Sequence, residues 1–97
     1  MKKKTRKMIE AHLRTYNKNL KEDEDWNNII RSRLKQMSKD EIELVEMRYF
    51  KRKKINYITY ELYMSRNKYF SMIDNILTEI ALDAAYQHLL KRQEQKQ

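Results

Sequence analysis

The chain contains no glycine, no proline and no cysteine. Tight hairpin turns of the primed types want glycine at positive φ, so its absence argues against a β-rich fold. Glycine-rich phosphate loops and the dinucleotide fingerprint are excluded outright. Helix interiors are where glycine and proline destabilise most, so a chain with neither suits an all-helical fold. Without cysteine there is no disulfide framework and no thiolate metal site, and a reducing compartment is permitted. No stretch approaches the roughly 20 apolar residues of a membrane span. The lysine-rich start, Met1 to Lys4, is not followed by the apolar run of a signal peptide, so the expected setting is cytoplasmic. A length of 97 residues calls for one globular domain.

What the chain does have is charge: 37% of its residues are charged, with a net charge of +8. The charge is patterned. Residues 1–21 carry eight Lys or Arg against one Glu, and residues 22–46 carry four basic against eight acidic residues. Residues 47–70 carry seven basic residues against one Glu, and residues 71–97 are nearly neutral. Two basic blocks separated by an acidic one form a patterned surface. Concentrated Lys and Arg are the electrostatic footprint of a polyanion, nucleic acid first, and also of a plain solubilising face.

Apolar residues recur at helical spacing almost throughout. Ile9, Leu13, Tyr16 and Leu20 make one stripe on a first helix. The run Glu22 to Asp25 interrupts the pattern and suits the N-terminus of a second helix, whose stripe is Trp26, Ile29, Ile30, Leu34 and Met37. That acidic run lacks the glycine and distal glutamate of a calcium loop. Ser38 and Glu41 have capping-box spacing, so a third helix follows with Ile42, Leu44, Val45 and Tyr49 inward, ending near Phe50. A short fourth helix over about 56–62 turns Ile58 and Leu62 inside. Ser65 then caps a long last helix carrying Tyr69, Met72, Ile73, Ile76, Leu77, Ile80 and Ala84 on one side, with Leu90 as its furthest end. Residues 91–97 form a polar tail. The expected architecture is all-α: a small helical domain with a C-terminal helix-turn-helix and a long last helix. Its parts are 1–37, a basic helix and a second helix; 38–90, the helix-turn-helix with the extended last helix; and the 91–97 tail.

No constellation of catalytic residues is present. His12 and His88 have no ligand partner three or four residues away and read as surface residues. The serines lack local His and acid partners, and Ser38 and Ser65 are accounted for as caps. The chain is therefore expected to be neither an enzyme nor a cofactor or metal binder.

The informative stretch is Glu43 to Leu77, a capped helix, a basic connection, a short helix, a tight turn and a capped second helix. Ile58 and Leu62 supply the apolar pair of the first helix, Met64 the buried residue of the turn, and Ser65 the cap of the second. With Arg48-Tyr49-Phe50 closing one helix and Tyr69-Phe70 early in the last, this segment resembles region 4 of bacterial sigma factors. More closely it resembles the phage late-gene transcriptional regulators of the RinA and ArpU type. The resemblance covers about a third of the chain well. It implies sequence-specific binding of double-stranded DNA and activation of phage late genes in a bacterial host cell, with RNA polymerase as a possible second partner. Tyr63 departs from the family, which commonly places Gly or Asn at this turn position because the backbone there tends to positive φ.

In such a motif the start of the second helix reaches base edges. The outward residues there are Arg66, Asn67, Lys68, Phe70, Ser71 and Asn75, candidates for base reading. Phe70 suits either a thymine methyl or core packing. Lys51, Arg52, Lys53 and Lys54 are candidates for phosphate contact, and also complement the dipole at a helix C-terminus. Tyr57 and Tyr60 fit either hydroxyl contacts to phosphate or partial burial. Lys2, Lys3, Lys4, Arg6 and Lys7 form an arm or first helical turn that either tracks the phosphate backbone or is a plain basic start. The last helix, with Ile80, Leu82, Ala84, Ala85, Tyr86 and Leu89, either builds a homodimer or packs on the chain's own first two helices. Two alternatives to a transcription regulator stay open: a DNA-packaging protein like a small terminase subunit, and a protein-binding module that docks on RNA polymerase.

Overall fold

The computed structural model describes residues 1–16 and 24–87. Among them every regular element is helical, which makes the chain all-α. Helix α1 spans Lys3–Arg14, α2 Glu24–Gln36, α3 Lys39–Val45, α4 Ile55–Glu61 and α5 Arg66–Tyr86. A π-helical turn, Glu46–Phe50, prolongs α3. The expected positions Leu20, Glu22, Asp23, His88, Leu89, Leu90 and residues 91–97 lie outside the described residues.

Helix α5 is the spine. Its residues Tyr69, Ile73, Ile76, Leu77, Ile80 and Ala84 are buried on one face, at helical spacing. Helices α1 and α2 pack along this face, and α4 packs against its start. Ile9 and Leu13 from α1 join Trp26, Ile29 and Ile30 from α2, and Leu44, Val45, Tyr49 and Ile58 complete the core. Each such side chain removed from water stabilises by about 1.5–3 kcal/mol. Ion pairs fasten the edges. Arg6 of α1 donates to Asp74 of α5 at 2.6 Å, and Arg33 of α2 holds Asp83 through a two-nitrogen fork and Glu79 at 3.3 Å.

The caps form as the sequence dictates. Ser38 and Glu41 exchange side-chain and backbone hydrogen bonds in a full capping box, and Ser65 Oγ accepts from the Lys68 amide at 3.1 Å. Several expected core positions sit instead at the margin. Ile42, Leu62 and Met64 are half-buried: Ile42 lies on the two-turn helix α3, and Leu62 and Met64 lie in the turn after the equally short α4. Tyr16 lies past the end of α1, half-buried and stacked on Phe50 with ring centroids 5.8 Å apart. His12 is not a plain surface residue: its ring stacks on Trp26 at 4.3 Å and 11°. Ile80 and Ala84 are buried within the chain, where α5 packs on α1 and α2, and among the described residues Leu82, Ala85 and Tyr86 are exposed at its far end.

Candidate nucleic-acid interface

Helices α4 and α5 and the four residues between them form a helix-turn-helix. The Leu62 amide bonds back to Ile58 O at 2.9 Å and the Met64 amide to Thr59 O at 3.1 Å, which closes α4 and starts the turn. Tyr63 sits in the turn at φ 52°, left-handed backbone that glycine adopts freely and tyrosine does not. It is 96% exposed, so the strain of roughly 1–2 kcal/mol has no compensating side-chain packing. A chain without glycine meets its left-handed positions with other residues; Arg52, at φ 54° in the basic connection, is the second described one.

Beyond Ser65 the start of α5 is open to solvent. Arg66, Asn67, Lys68, Ser71 and Asn75 are all exposed. Phe70 is 44% exposed and does not join the core; its ring stands edge-on to the buried Tyr69. Arg66 Nη1 donates to Asn56 Oδ1 at 3.0 Å, so its guanidinium rests across the start of α4.

Lys51 to Lys54 are exposed and lie between the π turn and α4. Lys53 Nζ stands over the Tyr57 ring, 5.1 Å from its centroid. Tyr57 and Tyr60 are exposed and not partly buried, because α4 turns Ile58, with Ile55 beside it, toward the core and its tyrosines outward. Lys51, Arg52, Lys53, Lys54, Arg66 and Lys68 form no ion pair among the described residues, whereas Arg6, Arg33 and Arg48 each hold a carboxylate. Lys2, Lys3, Lys4 and Lys7 likewise form no ion pair, so unpaired cations gather in two places, the start of α1 and the stretch from the basic connection to the start of α5. Lys2 flanks α1, and Lys3 and Lys4 lie in its exposed first turn. Arg6, considered with them, is committed to Asp74 and Glu10.

Sequence reasoning missed the polar knot beneath this surface. Glu10 of α1, 8% exposed, accepts from Tyr49 Oη at 2.8 Å and from Arg48 Nη2 at 3.0 Å. Arg48 also donates to the Tyr69 hydroxyl of α5. The π turn makes this possible. More residues per turn mean less rotation per residue, so the neighbours Arg48 and Tyr49 both reach Glu10. Burial alone would raise the Glu10 carboxyl, but hydrogen bonds from Tyr49 and Arg48 outweigh it and hold it below the usual carboxylate range. Burial pushes the Tyr49 phenol above its ordinary value. The available signal was two opposite charges, Glu10 and Arg48, each set against the apolar stripe of its own helix.

Among the described residues no group of three His, Asp or Glu could hold a metal ion, and no helix is long and apolar enough to cross a membrane. Comparison with protein-family models, with curated proteins and with solved structures found no match to this chain.

Proposed function

We propose that this chain is a sequence-specific double-stranded DNA-binding transcriptional regulator, an activator of the phage late-gene type. One observation carries the reading: the exposed cations Lys51 to Lys54 and Lys68, without ion-pair partners among the described residues, accompany a Ser65-capped helix start that presents Arg66 and Asn67. Arg pairs with guanine O6 and N7, and Asn with adenine N6 and N7, when a helix N-terminus enters the major groove. Lys51 to Lys54, Tyr57, and Lys2 to Lys4 are assigned to phosphates, which set register without reading sequence. RNA polymerase is the further partner that the sigma-like resemblance implies.

The test is a titration of cognate and scrambled duplexes. Neutralising about six phosphates predicts a loss of roughly a thousandfold in affinity between about 50 and 200 mM salt. Arg66→Ala should weaken cognate binding by about 1–3 kcal/mol and blur preference at one base pair. Lys53→Ala should weaken all sequences alike and lower the salt slope by about one. Affinity flat in salt would remove DNA and leave the polymerase-docking module.

A second reading, a DNA-packaging protein resembling a small terminase subunit, draws support from Leu82, Ala85 and Tyr86, which α5 turns outward at its far end. Ring assembly in light scattering would favour it; a monomer or dimer favours the regulator.

A further inference from the structure

The exposed rings of Tyr60 and Tyr63 are given no task by the reading of a duplex, whose bases are already stacked on one another. Tyr57, Tyr60 and Tyr63 recur every third residue and are 47%, 78% and 96% exposed. Tyr57 and Tyr60 share one face of α4, and Tyr63 follows in the turn. Lys53 covers the ring of Tyr57, which leaves the faces of Tyr60 and Tyr63 open. Large aromatic surface left in water is an unused binding resource, and here it borders the basic connection Lys51 to Lys54. Tyr63 is held there in left-handed backbone with no packing return inside the chain, the kind of local strain that gathers at binding sites.

We propose that Tyr60 and Tyr63, with Lys51 to Lys54 beside them, form a platform for single-stranded nucleic acid. The rings stack on unpaired bases and the lysines and Arg52 neutralise the adjoining phosphates. Charge selects the partner: a protein surface needs no run of four unpaired cations, whereas a polyanion with exposed bases needs both features together. Glu61 is the one acidic residue within 47–70 and leaves the segment strongly positive. The two readings share Lys51 to Lys54 as phosphate contacts and differ in what meets the bases, the Tyr60 and Tyr63 rings in one and the start of α5 in the other, so variants of the rings and of Arg66 separate them.

The experiment titrates the full chain with labelled oligothymidylate, with an abasic strand of the same length, and with the duplex. Oligothymidylate should bind about tenfold or more tightly than the abasic strand. Tyr60→Ala with Tyr63→Ala should abolish that advantage and leave duplex affinity unchanged, while Arg66→Ala should do the reverse. Tyr60→Phe should keep the advantage, since the ring and not the hydroxyl stacks. Unchanged circular dichroism of each variant establishes that the fold is kept, as the side chains are exposed. Equal binding of the abasic strand overturns the proposal. So does a Tyr60→Phe loss as large as that of Tyr60→Ala, or a parallel loss on oligothymidylate and duplex. Duplex binding without oligothymidylate binding overturns the platform alone; the converse overturns the groove-reading helix alone.

Discussion

Arg48 donates to the hydroxyl of Tyr69, and so joins the π turn to the first turn of α5. Its other terminal nitrogen reaches Glu10 on α1. Residues far apart in sequence thus meet in one polar knot directly beneath the exposed start of α5. Burying such a pair adds little net stability over an apolar alternative, because desolvation offsets the attraction. Removing one partner is a different matter, since the other charge is left behind without compensation. The knot therefore acts as a register device: it is satisfied only when α1, the π turn and α5 are correctly placed.

Glu10→Gln keeps the shape of the knot and removes its negative charge. Urea denaturation at neutral pH should show a loss of roughly 2–3 kcal/mol. The Glu10 carboxyl is held below its ordinary 4.5, so its contribution is present above that value and fades as pH falls through the lower folded-state value. The gap between the parent chain and the variant should accordingly be full at neutral pH and close only as pH falls below 4.5. A gap constant from about pH 7 down to about pH 3 would show that charge is not the cause.

Ile58 and Leu62 belong to the same face of α4 but differ in depth. Ile58 is fully buried and Leu62 half-buried. Ile58→Ala should cost about 2–5 kcal/mol through lost burial and a cavity. Leu62→Ala should cost about 1–2 kcal/mol, because solvent and neighbours fill part of the space. Equal losses in parallel urea curves would mean that α4 is rotated from the orientation described.

Helix positions and the Ser38 and Ser65 caps were legible in the sequence because they depend on local spacing: apolar residues three and four apart, and a hydroxyl at the residue before α3 and before α5. The expected 56–62 helix is observed as Ile55–Glu61, the usual ambiguity at frayed ends. Depth was less legible. Leu62, Met64 and Ile42 have the residue type of a core but are half-buried, the first two in the turn after α4 and the third on the two-turn α3. The π turn left no local mark, since its registry follows from the demands of Glu10 thirty-odd residues away. The openness of Arg66, Asn67, Lys68, Ser71 and Asn75 was readable from the α5 stripe, whereas the exposure of Tyr57 and Tyr60 depended on how α4 docks.

Tyr63→Asn relieves the turn. Asparagine tolerates left-handed backbone better than tyrosine, and the ring it replaces makes almost no contact within the chain. Thermal denaturation should show a gain of about 0.5–1 kcal/mol. The same variant should lose single-strand affinity if the exposed rings stack on bases, a trade of function for stability. A destabilised variant would mean that the Tyr63 ring packs in solution.

Tyr69→Phe tests the link between the knot and the surface above it. The ring remains to fill its fully buried place in the core, so α5 stays helical and docked. Arg48 keeps Glu10 and loses one acceptor, beside an Nε that already lacks a hydrogen-bond partner. Leaving a further buried donor unpaired should cost about 1–2 kcal/mol. Residue 69 lies among Arg66, Asn67, Lys68 and Phe70, so a loosened Arg48–Tyr69 contact frees the first turn of α5 to shift against α1. Base pairing by side chains tolerates little displacement, whereas phosphate attraction is long-ranged and forgiving. Under the proposed function the ratio of cognate to scrambled duplex affinity should therefore fall several-fold, with the salt slope unchanged because every cation is kept. Titrations of both duplexes at two salt concentrations measure both quantities. A ratio that holds while stability drops would confine the Arg48–Tyr69 bond to the fold and detach it from recognition.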